Sequence, residues 1–158
     1  MATPQKPSLR EQARRIQVDD IAGLWNLDQA IKEKFQEGYE DENKVRENLA
    51  QIHEACQYQL ARNNIPGTFE ARYHHYMVPV VIKETNAIKT GNFDDPRWHC
   101  RQAKSIYEGL RPRLPENGLD IQGWQSFMDE IEDSIGRIAD WEEEAAAERR
   151  EAEAESKA

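Results

Sequence analysis

Apolar residues return along most of this chain at the spacing of a helix face, and that pattern predicts an all-α fold. In the clearest stretch, from about Asp41 to Asn64, Val45, Leu49, Ile52, Cys56 and Leu60 step by four, three, four and four. Asn63-Asn64 and Pro66-Gly67 punctuate its end. Before it, residues 1–7 with Pro4 and Pro7 form a lead-in, and Ser8 to Val18 is a short basic amphipathic segment. Asp19-Asp20 caps a second segment carrying Ile21, Leu24, Trp25, Leu27, Ile31 and Phe35, which Gly38 closes.

After Pro66-Gly67, Thr68 is positioned to cap a helix from Phe69 to about Lys89, with a kink or break at Pro79 because proline lacks the backbone donor. The β-branched run Val80-Val81-Ile82 has no second strand to pair with, so helix is the better reading. Asp95-Pro96 starts the next helix, which holds Trp98, Ala103, Ile106, Tyr107 and Leu110 and ends before Pro112. Asp120 caps the last element. There Ile121, Trp124, Met128, Ile131, Ile135 and Ile138 form a heptad seam over two and a half repeats. Trp124, Met128, Ile131, Ile135 and Ile138 are the residues expected to drive helix packing.

The expected architecture is bundle-like packing of five or six helices, with a long C-terminal helix extending past the core. Residues 8–141 form the helical domain. Residues 142–158, EEEAAAERREAEAESKA, form an acidic Ala/Glu-rich tail, helical or disordered.

Composition sharpens the picture through charge. The chain has 158 residues with 30 acids and 21 bases, a formal net charge of −9. Residues 1–18 carry +3, residues 19–82 carry −5, residues 83–113 carry +3 and residues 114–158 carry −10. A surface wholly suited to duplex DNA or an anionic membrane is excluded, but a local basic patch is not. Arg97, Arg101 and Lys104 fall on one helix face and form such a patch; Glu142, Glu143 and Glu144 form the acidic counterpart. The longest apolar run, Met77 to Ile82, is too short to span a bilayer, and the N-terminus lacks a signal-peptide core. Without a secretion signal, Cys56 and Cys100 read as reduced thiols and the location as cytoplasmic.

Catalytic motifs are mostly missing from the sequence. The glycines are scattered singly, so no phosphate-cradling loop is present. His53-Glu54-Ala55-Cys56-Gln57 begins like a zinc-protease helix, but Gln57 stands where the second histidine belongs. His53, Cys56, His74, His75, His99 and Cys100 remain as loose metal-ligand candidates, with no established zinc spacing among them. Glu70 stands one helical turn before His74, and Glu84 follows an apolar run; either could serve acid–base chemistry.

The expectation is therefore a non-enzymatic helical protein-protein interaction protein: a small accessory, assembly or inhibitory subunit acting through helix faces and an acidic arm. It would bind another protein or further copies of itself, with no cofactor and no membrane. Two alternatives stand beside it, a nucleic-acid-associated protein using the basic patch and a His/Cys metal-binding helical protein.

Overall fold

The computed structural model describes residues 7–157, so the lead-in lies outside the described residues except for Pro7. Seven helices and no strand occur among these residues: α1 (Leu9–Arg15), α2 (Ile21–Gln36), α3 (Glu42–Leu60), α4 (Gly67–Glu84), α5 (Ala87–Thr90), α6 (Asp94–Leu110) and α7 (Ile121–Ser156). The all-α architecture is as expected. Its count exceeds five or six because α5 is a separate single turn.

Side-chain caps mark four of the starts. Ser8, Asp20, Asp41 and Asp120 each accept hydrogen bonds from backbone N–H groups in the first turn of α1, α2, α3 and α7. These bonds satisfy donors that have no carbonyl partner within the helix. Two expected caps differ. Helix α4 begins at Gly67 behind Pro66, and the Thr68 hydroxyl instead donates to the Asn117 carbonyl at 3.4 Å. Helix α6 begins at Asp94, one residue before the expected cap, and places Pro96 inside its first turn.

Helix α4 runs unbroken through Pro79. Pro79 lies on the exposed side while Val78, Val80 and Val81 around it are buried, so packing on both flanks holds the helix through the missing bond. The same helix stops at Glu84, five residues earlier than the periodicity suggests. Asn86 adopts the left-handed conformation (φ 53°), which ends α4 and lets the chain restart as α5.

Packing divides the interior into three apolar clusters. Leu24, Leu27, Ile31, Ile52, Cys56, Phe69, Tyr73 and Val80 join α2, α3 and α4. Ala71, Ala103, Tyr107, Phe127, Met128 and Ile131 join α4, α6 and α7. Val78, Ala87, Phe93, Cys100 and Ile138 close the far end, with Trp141 stacked on Phe93. Met128, Ile131 and Ile138 of the C-terminal seam are buried within the chain, and Trp124 and Ile135 pack against the clusters. Ile121 is 47% exposed, because α7 starts one turn before it meets its neighbours.

Helix α7 is one continuous element of 36 residues, about 54 Å long at 1.5 Å per residue. Gly91, with φ +73°, brings the α5–α6 turn close to it: a Cβ there would stand 3.2 Å from the Ala145 methyl. That contact holds the early part of the acidic segment to the body of the protein.

Candidate functional site

An acid inside an apolar stripe organises the site. Asp28 occupies a position on α2 between Leu24, Leu27 and Ile31, and is 2% exposed. A buried carboxylate requires partners. Arg72 of α4 supplies two parallel bonds, Nε to Oδ1 at 2.8 Å and Nη2 to Oδ2 at 2.9 Å. Tyr76, one turn further along α4, donates its hydroxyl to Oδ1 at 2.5 Å. Lys32 Nζ stands 3.6 Å from Oδ2.

The Arg72 guanidinium also lies between the rings of Trp25 and Phe127, 5.2 and 4.9 Å from their centroids. Burial works against its charge, but the Asp28 carboxylate more than offsets that, so Arg72 stays charged. Burial pushes the Tyr76 hydroxyl up, with the Asp28 charge adding to the effect. One cation thereby fastens α2, α4 and α7 together.

Above this junction α4 and α7 leave a cleft of about 250 Å³. Val78, Pro79 and Ile82 line it from α4, and Phe127, Ile138 and Trp141 from α7. Its polar lining consists of Lys32, Arg72, His75, Tyr76, Glu130, Ser134 and Arg137. The lining positions on α4 and α7 recur at three- and four-residue steps, so each wall is one helix face. Within the cleft, His75 Nε2 and Ser134 Oγ are 3.0 Å apart, a direct hydrogen bond across the two helices. Burial, then the nearby Arg72 charge, lowers the His75 pKa to about 4, so the ring is neutral at physiological pH.

A second histidine pair lies between α4 and α6. His74 Nδ1 and His99 Nδ1 are 3.0 Å apart, and both rings meet Trp98 edge-on. Burial, then His99, lowers the His74 pKa to about 4. His74 thus turns to His99 rather than to Glu70. Glu84 instead receives His53 Nδ1 at 2.7 Å, across from α3.

Of the metal-ligand candidates, only His74 and His99 are hydrogen-bonded to each other. Among the described residues no three His, Cys, Asp or Glu side chains converge as a metal site. Cys56 is buried in the α2–α3–α4 cluster and Cys100 in the far-end cluster with Val78, Phe93 and Ile138. Both are free thiols, and burial raises their pKa values, that of Cys100 to about 11.

The charged residues expected to face a partner divide into two groups. Arg97 pairs with Glu142 and also lies 3.3 Å from Asp94; Lys104 lies 3.6 Å from Glu132 and 3.9 Å from Glu108. These contacts join the basic face of α6 to α7 within one chain. Arg101, Glu143 and Glu144 are exposed and have no ion pair among the described residues. No helix among the described residues is long and apolar enough to cross a membrane.

No protein-family model, curated protein sequence or solved structure matches the chain. The site must be read from its own chemistry. Sequence spacing missed Asp28, Arg72, Tyr76 and Ser134, although an aspartate inside the Leu24–Ile31 stripe signals that a buried cation partner is required.

Proposed function

We propose that this is a non-enzymatic interaction protein, a small accessory or assembly subunit whose contact surface is the outer half of α7. The observation that carries this reading is that the outer half of α7 continues past its contact with the Gly91 turn and, apart from Glu142, carries carboxylates with no ion pair among the described residues. Asp140, Glu143, Glu144, Glu148, Glu151, Glu153 and Glu155 are exposed and have no ion pair among the described residues. Within a folded body such charges would find cations or be screened to little effect. Set along the solvent side of one continuous helix, they offer a field that steers a basic partner and fixes its register. Of the six residues singled out by charge alone, Glu143 and Glu144 fit this surface. Arg97, Lys104 and Glu142 hold α6 against α7.

The chemistry of the cleft supports the same non-enzymatic reading. Ser134 and His75 resemble a nucleophile and its base, but both lie in the middle of helices. Their neighbouring backbone N–H groups are consumed by the helical ladder, so none is available to stabilise an oxyanion.

The test is replacement of Glu143, Glu144, Glu148 and Glu151 by Gln. Cross-linked capture from cells of the native host, at low and high salt, should recover salt-sensitive partners with the parent chain and lose them with the variant. Melting should be unchanged. Equal capture by both proteins refutes the reading, as does a large loss of stability.

A further inference from the structure

The cleft between α4 and α7 has a composition that the interaction surface on the outer part of α7 does not account for. Its walls are apolar, with Val78, Ile82, Ile138 and Trp141 toward one end and the Phe127 ring toward the other. Its cations are already paired, mostly with acids that do not themselves line the cleft. Lys32, Arg72 and Arg137 line it as cations; Arg72 is bound to Asp28, Arg137 lies 2.9 Å from Asp133, and Glu130 adds a third acid. Each of the three cations already has an acid within 4 Å, Asp28 for Arg72 and Lys32 and Asp133 for Arg137, and Arg72, the least exposed of them, is doubly bound to its carboxylate. An anionic ligand would have to compete with Asp28 and Asp133 for these cations, and a cationic one would meet only the exposed Glu130.

The remaining polar groups are neutral. His75 and Ser134 lie 3.0 Å apart across the cleft. The serine hydroxyl can rotate to donate or accept, so the pair can serve either a hydroxyl or a carbonyl group.

The bridge between the two walls favours a small molecule over a helix. The cleft, at about 250 Å³, approaches the small-molecule range of about 300–1,000 Å³, and a helix laid along it would have to break the 3.0 Å bond between His75 and Ser134 that ties its walls together.

We propose that the α4–α7 cleft binds a small, uncharged, mostly apolar molecule bearing a single hydroxyl or carbonyl group, which hydrogen-bonds to the His75–Ser134 pair while its body lies against Ile82, Ile138 and Trp141.

Three probes that share one ring system separate the terms: 2-naphthol, naphthalene and 2-naphthoate. Each is titrated into the isotope-labelled full chain at neutral pH, with the Trp141 indole N–H and the His75 ring followed by NMR. The hydroxyl should give 2-naphthol an affinity about three- to tenfold above naphthalene, the range of one net hydrogen bond. The carboxylate should make 2-naphthoate the weakest of the three. Ser134→Ala should leave naphthalene binding unchanged and bring 2-naphthol to within about twofold of it. Ile82→Trp, which fills the cleft from an only partly buried position, should abolish binding of all three without lowering the melting temperature; it carries the test if Ser134→Ala fails to fold. Tightest binding by 2-naphthoate would show that an anion site was misread as neutral. No saturable shift at Trp141 with any probe, or a hydroxyl preference that survives Ser134→Ala, overturns the proposal.

Discussion

Replacing Arg72 by Met tests the junction on which the site is built. The Arg72 and Asp28 side chains are 12% and 3% exposed, so solvent cannot take over for either charge. Arg72→Met removes two charge-assisted bonds and leaves Asp28 with only the Tyr76 hydroxyl and a lysine 3.6 Å away. Breaking a buried pair from one side costs about 3–5 kcal/mol. Loss of the cation between Trp25 and Phe127 adds about 0.5–1 kcal/mol, part of which the methionine sulfur recovers. The expected loss is about 4 kcal/mol, a large part of the 5–15 kcal/mol that ordinarily separates folded from unfolded chains.

The decisive comparison is the triple variant Asp28→Leu, Arg72→Met, Tyr76→Phe, which removes the three hydrogen-bonded members together and leaves only Lys32, whose side chain is 48% exposed. It leaves no orphaned charge, so it should be more stable than the single variant by about 2 kcal/mol or more. Urea denaturation followed by far-UV circular dichroism measures both. A single variant within about 1 kcal/mol of the parent would refute the reasoning. So would a triple variant less stable than the single one.

Three further outcomes follow from the packing and the titrating groups. Ile131→Ala, at a fully buried position between α4, α6 and α7, should cost about 2–5 kcal/mol in the same denaturation assay, whereas Ile121→Ala should cost under about 0.5 kcal/mol. His74 and His75 titrate near 4 in the folded protein against 6.5 when exposed, so on acidification the unfolded chain takes up protons first. Their stabilising contribution is therefore complete above about pH 6.5 and falls away as the pH drops toward 4, by about 3 kcal/mol for each residue; stability rising on acidification through this window would contradict the assignment. Cys56 and Cys100 should resist a thiol reagent in the native state and both react in denaturant, because burial excludes the reagent and keeps each thiol protonated.

The helices were legible in the sequence where one face is apolar and one is not. The seam from Trp124 to Ile138 and the stripe from Val45 to Leu60 were read at their correct places because burial acts on every third or fourth residue. Phe127, which is buried beside Met128, falls between seam positions; an α7 that packs on two helices needs a wider stripe than a heptad provides. The continuity of α4 through Pro79 was not legible, because the flanking valines that hold it are anchored by distant helices. The junction was hidden for a related reason. Asp28 and Arg72 are 44 positions apart, and only the packing of α2 on α4 makes them partners. The histidines show the same limit: His74 has an acid one turn away on its own helix, yet its partner comes from α6.

The unbroken course of α7 has a geometric consequence for anything that binds its outer half. Each residue advances a helix by 1.5 Å and turns it by about 100°. From Ile131, buried in the core, to Glu151 on the arm there is no hinge at which that phase could be lost. The carboxylates are thus held at fixed azimuths relative to the body of the protein, as marks on a rod. Inserting one residue after Arg149 would swing the last acids by about 100°, while inserting seven would return them to nearly the same azimuth about 10 Å further out. A partner that reads those acids would measure both orientation and distance.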